Sequence, residues 1–291
     1  MIKSIIGLVL LAVLWSCSQG PETQGDKKGI LVSIGPQAWF VHQLLPDTVP
    51  VYVLVPPGSS PHAFEPGPAD LIHLEQSLGY LRIGHIGFEL SLAEKIRSSY
   101  PDKPVFDLSQ GISLMQGHEH HHEGEHHEHG GEGTDPHIWM SVTQGKIIAA
   151  NTRDALLQLF PDQQDSILSR FARLSTRLDS LDLQFAEQLK ASGVGRFAIF
   201  HPALSYYAKD YGLEQLSIEE EGKDPSPAHL QQVIDLIREG GIKTILVQRE
   251  FNQEQARTIA REAGVGITVI DPLSEDWERS LREITAAIAV D

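Results

Sequence analysis

Residues 163–190 contain no Gly and no Pro. Within them Ile167, Phe171, Leu174, Leu178, Leu181, Phe185 and Leu189 recur at spacings of four and three, which puts them on one face of a helix. At about 1.5 Å per residue that helix is roughly 40 Å long, more than a small α/β domain normally houses. It is best read as a stiff spine between two lobes. On either side, short apolar runs alternate with helical stretches. Strands are predicted at 30–34, 51–55, 78–83 and 104–107, then at 196–200, 213–218, 243–247 and 266–270, with a helix after nearly every one. Such alternation builds parallel sheets covered by helices. The predicted fold class is therefore α/β, with two parallel-sheet lobes joined by one long helix. The expected divisions are an N-terminal lobe at 29–160, a linking helix at 161–191 and a C-terminal lobe at 192–291. Ligands in such folds lie beyond the carboxyl ends of the strands, which makes the cleft between the lobes the natural site.

The 291 residues suffice for two domains with a buried interior. A net charge of -16 argues against nucleic acid, which requires a basic surface, and favours cations near the protein. Residues 1–16 read as a cleaved signal peptide, because Lys3 precedes an apolar run too short to span a bilayer. The run ends Leu14-Trp15-Ser16-Cys17, which resembles a bacterial lipobox. Cys17 is the only cysteine, so it has no disulfide partner in the chain, and its position suits a lipid anchor. Residues 17–28 then form a polar tether. The mature protein is expected outside the cytoplasmic membrane, periplasmic or extracytoplasmic, held to a membrane by its N-terminal lipid.

Residues 118–129 hold seven imidazoles, at His118, His120, His121, His122, His126, His127 and His129, together with four glutamates. With no apolar side chain the segment cannot build a core, and 117–133 reads as a solvated loop within the first lobe. Neutral imidazole and carboxylate both bind divalent transition metals. The loop is too irregular for a tight site, so it is expected to supply auxiliary, weaker ones.

Seven other histidines remain. His42, His73 and His229 fall inside predicted helices and His85 at a helix start, where a surface or core role is the default. His62 lies in a Pro-rich loop just past a strand. His137 follows Asp135-Pro136, and His201 directly follows the strand at 196–200. These three can converge from separate segments. Three imidazoles and one oxygen donor suit tetrahedral zinc. Asp271, which follows the strand at 266–270, is a candidate fourth ligand; it is equally an Asp-Pro turn former, and water is the alternative.

At these residues the chain resembles the solute-binding proteins of zinc ABC importers, part of a larger family that also serves manganese. The matching pieces are Gly58-Ser59-Ser60-Pro61-His62, Asp135-Pro136-His137-Ile138-Trp139, Phe200-His201-Pro202-Ala203-Leu204-Ser205-Tyr206-Tyr207, Pro225-Ser226-Pro227 and Ile270-Asp271-Pro272-Leu273. The resemblance implies two lobes joined by a long helix, with His62, His137 and His201 holding Zn2+ between them and a carboxylate at Asp271 in several members. Manganese-preferring members often carry Glu in place of His201; manganese prefers oxygen donors, so the histidine favours zinc. Two departures bear on the non-histidine ligands: Pro61 stands where some zinc members have an acid, and Gln248-Arg249-Glu250-Phe251 stands where many have Glu-Pro-Gln-Phe.

The expected function is thus a monomeric receptor, not an enzyme, that captures zinc and passes it to an ABC-type permease. Alternatives are a manganese or iron receptor of the same family, a zinc-storage or adhesin lipoprotein, or a zinc hydrolase. The last needs a general base near bound water, commonly in a His-Glu-x-x-His motif. No such motif stands outside the loop, and Glu219, Glu220 and Glu221 read as a solvated polar run.

Overall fold

The computed structural model describes residues 28–117, 133–219 and 225–290. The signal-peptide region, Cys17, the tether through residue 27, the seven histidines of 118–129, and Glu220 and Glu221 lie outside the described residues.

The first sheet contains β1 (Gly29–Val32), β2 (Val51–Val53), β3 (Ser77–Arg82) and β4 (Val105–Asp107) in the order β2-β1-β3-β4. The second contains β5 (Arg196–Ile199), β6 (Glu214–Ser217), β7 (Thr244–Gln248) and β8 (Gly266–Ile270) in the order β6-β5-β7-β8. Every pairing is parallel, so the second lobe repeats the topology of the first. Central strands covered on both faces read as unbroken apolar runs, and β1, Gly-Ile-Leu-Val, is buried throughout. The first lobe carries α1 (Gly35–Leu44), α2 (Pro68–Gln76), α3 (Gly87–Ser99) and α4 (Val142–Leu159), and the spine is α5 (Gln164–Ser192). The second carries α6 (Ser205–Tyr211), α7 (Pro227–Glu239), α8 (Gln253–Ala263) and α9 (Trp277–Ile288).

Six of the seven apolar residues that define the α5 face are buried. The seventh, Phe171, is half-buried beneath the Arg153 guanidinium, 4.4 Å from its ring centroid. The face lies against α4 and α1 of one lobe and α9 of the other.

One continuous apolar cluster runs through both lobes. Trp277 of α9 packs on Trp39 and Phe40 of α1, with ring centroids 5.0 and 4.8 Å apart. Burying rings of this size contributes about 2–3 kcal/mol each. Their polar edges are also satisfied: the Trp277 indole N–H donates to the Trp139 carbonyl at 2.6 Å, and the Trp139 indole N–H donates to the Pro272 carbonyl at 3.0 Å. Two glycines permit the close approach. A Cβ on Gly35 would lie 2.3 Å from the Leu273 carbonyl oxygen, and one on Gly145 would lie 2.9 Å from the Trp277 ring.

Candidate metal centre

Three segments deliver the imidazoles. His62 sits in the exposed loop between β2 and α2, a path held by Pro56, Pro57, Pro61 and Pro66, whose rings fix φ. His137 comes from the segment after β4 and leads into a buried turn, Ile138–Met140, ahead of α4. His201 follows β5 directly. The structure brings all three together, each offering a ring nitrogen within 4.8 Å of the other two. Ring centroids are 5.2 Å apart for His62 and His137, 5.3 Å for His62 and His201, and 5.2 Å for His137 and His201.

Two of the rings are oriented by carboxylates. The His137 Nδ1–H donates to Asp135 Oδ1 at 2.8 Å, and the His137 backbone N–H donates to the same oxygen at 2.9 Å. The His201 Nδ1–H donates to Glu219 Oε2 at 2.5 Å. Each bond fixes the tautomer and leaves the Nε2 lone pair free, as a metal-ligating imidazole requires. Those lone pairs converge: His62 Nε2 and His137 Nε2 are 3.2 Å apart, and His201 Nε2 is buried without a hydrogen-bond partner among the described residues. A buried nitrogen with no partner costs roughly 1–3 kcal/mol, and a cation between the three rings would remove that cost.

The electrostatics disfavour protonation of two of the rings. Burial, then the neighbouring His137 and His201, push the His62 pKa down to about 3; although the residue is exposed, its Nε2 is turned inward. Burial also lowers the pKa of His137, against the opposing pull of Asp135. Burial alone would raise Asp135, but its bonds to His137 and to the Ser205 hydroxyl outweigh that and hold it below the usual carboxylate range. Neutral imidazoles do not require a proton to leave before they bind metal.

Around the rings, Phe251 stacks on His201 at 4.9 Å and Trp139 lies 5.3 Å from His137. Gln248, wholly buried, clamps the His201 backbone from both sides: its Oε1 accepts from the His201 N–H at 3.3 Å and its Nε2 donates to the His201 carbonyl at 2.6 Å. Asp271 does not join the cluster of ligand atoms; its Oδ2 lies 3.2 Å from Arg249 Nη1. The half-buried Glu250 is raised in pKa by burial first, then by the nearby charge of Asp271.

The other described histidines have separate settings. His73 stacks on Tyr52 at 4.8 Å, His85 Nε2 lies 3.1 Å from Ser109 Oγ, and His229 Nε2 lies 3.3 Å from the Ser217 carbonyl. Glu219 corrects the sequence reading: it is not solvated but only 11% exposed in its side chain, with its carboxylate on His201. Its place among three consecutive glutamates hid it. The signal that would have found it is its position immediately past β6, beside the strand that ends at His201. Asp135 was quoted in its motif without a role; its spacing of two from His137 lets one carboxylate reach both the backbone and the ring.

Fold and site together define a class: two α/β lobes joined by a long helix, with three imidazoles gathered between them in an arrangement that could hold a metal ion. The family model described as ZnuA, zinc-uptake complex component A periplasmic, matches residues 30–289, and the chain belongs to that family. It is 28% identical over 292 residues to the zinc-binding lipoprotein AdcA of Streptococcus pneumoniae (strain ATCC BAA-255 / R6), covering 97% of this chain and 56% of that protein. It is also 28% identical over 258 residues to the high-affinity zinc uptake system protein ZnuA of Bacillus subtilis (strain 168), covering 87% of this chain and 80% of that one. The chain spans about half the length of the AdcA relatives. Among solved structures, a crystal structure of ZnuA superposes with a TM-score of 0.80 at 33% identity, covering 90% of this chain and 98% of that one. A zinc-bound deletion mutant of ZnuA gives 0.79 at 33% identity, with 90% and 96% covered. Laminin-binding adhesin Lmb of Streptococcus agalactiae, at 22% identity and a TM-score of 0.75, shares the fold.

Proposed function

We propose that this protein is a receptor that captures zinc outside the cytoplasmic membrane through His62, His137 and His201 and delivers it to an ABC-type permease. The observation that carries this reading is the buried Nε2 of His201, without a partner among the described residues and facing two other imidazoles whose protonation is disfavoured. Three nitrogen donors, two of them with tautomers fixed by carboxylates, suit zinc more than manganese, which prefers oxygen. Asp271 is a fourth-ligand candidate that would have to leave Arg249 to coordinate; water would complete the sphere otherwise. The names of the AdcA and ZnuA relatives support zinc as the cargo and an extracytoplasmic location. No helix among the described residues is long and apolar enough to cross a membrane. The lipobox-like setting of Cys17 supports a lipid there as the attachment. The protein acts as a monomer, and the seven histidines of 118–129 add weaker sites.

Binding rather than catalysis is supported by the two carboxylates nearest the ligands, Asp135 and Glu219, each already committed to a ring. Calorimetry tests the reading. One tight zinc site is expected, lost on replacing His62, His137 or His201 by Ala and kept when residues 117–133 are deleted. Tight stoichiometric binding retained in the triple-alanine variant would overturn it.

A further inference from the structure

Ser205 and Tyr206 open α6 in the second lobe, yet their hydroxyls serve a ligand that the first lobe supplies. Tyr206 is 1% exposed. Its hydroxyl donates to the Asp135 carbonyl at 2.9 Å and accepts from the Met115 N–H at 3.0 Å. The buried Ser205 hydroxyl, which accepts from Gln215 Nε2 at 3.2 Å, faces the Asp135 carboxylate and favours its charged form, and that carboxylate holds the His137 ring. Met115 and Asp135 are also paired to each other, the Asp135 N–H donating to the Met115 carbonyl at 3.0 Å. Beyond them the Gly117 N–H donates to the Gly133 carbonyl at 2.7 Å, beside a bridge between Gln116 and Thr134. These bonds form the stem from which the histidine-rich segment departs.

The geometry points to the first turn of α6 as a cross-lobe positioning element: Ser205 and Tyr206, acting through Asp135, hold the His137 ring in its metal-binding orientation and tie the stem of the histidine-rich segment to it. The inference rests on the zinc-site reading above. Its physical basis is that Asp135 is gripped twice from the opposite lobe, at its carbonyl and at its carboxylate. Neither grip is available unless the lobes are apposed, so the ligand set is complete only in that arrangement. A tyrosine needed only to fill the core would be replaced by phenylalanine without effect on metal. Here the exchange orphans the part-buried Met115 N–H and the buried Asp135 carbonyl, and so weakens the hold on Asp135.

The test uses the full chain, with zinc affinity read by competition against a chelator and the visible spectrum of the cobalt-loaded protein as a report on ligand geometry. Loss of an outer-sphere partner costs roughly 10–100-fold in metal affinity, so Tyr206→Phe is expected to weaken zinc about tenfold and change the cobalt bands. Ser205→Ala should weaken zinc by about three- to tenfold and Ser205→Thr should restore it to within about twofold. In an Asp135→Ala background, Ser205→Ala should change affinity by less than about twofold, because the two act as one unit. Wild-type affinity and cobalt spectra in both Tyr206→Phe and Ser205→Ala would overturn the inference, as would an undiminished Ser205→Ala effect without the Asp135 carboxylate. Should Tyr206→Phe fail to fold, the Ser205 series decides alone. Equal zinc binding by the wild type and His137→Ala would instead show that the underlying site reading is wrong.

Discussion

The two lobes share one strand order but use it in opposite ways. In each, the order reverses beside the central strand, between β1 and β3 or between β5 and β7, which is where ligands bind in open α/β sheets. In the second lobe that crevice offers His201, with Gln248 at the end of β7 gripping its backbone. In the first lobe the equivalent crevice is filled by the protein itself. Glu89 of α3, wholly buried, accepts the backbone N–H groups of Ile83 and Gly84 at 2.7 Å each and the Ser33 hydroxyl, which is also 2.7 Å from the Tyr80 hydroxyl. Gln37 accepts from the Ser33 and Ile34 N–H groups and donates to the Leu81 carbonyl. The first lobe therefore presents its two clustered histidines from elsewhere, after β2 and β4. Topology makes a crevice available; the polar side chains decide whether it serves stability or binding.

The largest effect that would sharpen this contrast is on stability. Glu89→Ala leaves two or three buried N–H groups unpaired, at about 1–3 kcal/mol each, so a loss of roughly 3–6 kcal/mol is expected in urea unfolding. Zinc affinity of the molecules that remain folded should stay within about threefold of wild type. A large affinity loss without a stability loss would break the comparison.

The second lobe should show the reverse. Glu219→Ala, and Asp135→Ala across the cleft, are expected to weaken zinc roughly 10–100-fold with under about 1.5 kcal/mol of destabilisation. Titration against a chelator, paired with denaturant curves, checks both quantities. Gln248→Glu is a smaller perturbation. A carboxylate still accepts from the His201 N–H but cannot donate to its carbonyl, so a loss of about 1 kcal/mol, or three- to tenfold in affinity, is expected near neutral pH. Protonation of the new acid at lower pH should narrow the gap.

The mildest expectation concerns the metal-free protein. His62 is depressed to about 3 and His137 is lowered, so both stay neutral in the fold while the unfolded chain takes up protons below about pH 6.5. Apo stability from this source is fully present above that value and declines as pH falls from about 6.5 toward 3. Zinc affinity, for the same reason, should fall less than about tenfold between roughly pH 7.5 and pH 6. His62→Ala should flatten part of the apo slope.

Much of the frame was legible in the sequence. The α5 face could be read because helical period and burial are the same pattern seen twice. The convergence of His62, His137 and His201 could be read because histidines beside strand ends and prolines have few bland uses. What surrounds them was not legible. Gln248 stands at the end of an apolar strand, where an amide looks like an ordinary polar exit, and only the fold reveals that it spans both backbone groups of one residue. Glu219 was masked by Glu220 and Glu221, since composition cannot say which of three like charges faces inward. Glu89 left a faint trace, an acid three residues after Ile86 at a helix start, but the crevice it fills exists only once β1 and β3 are side by side.

Gly35 carries a last consequence. A single added carbon there would act as a wedge against the Leu273 carbonyl. The neighbouring Pro272 carbonyl anchors the Trp139 indole, two positions beyond His137. A methyl group placed there would thus be felt through Trp139 at the His137 ring, because the seam between the halves has no slack to absorb it.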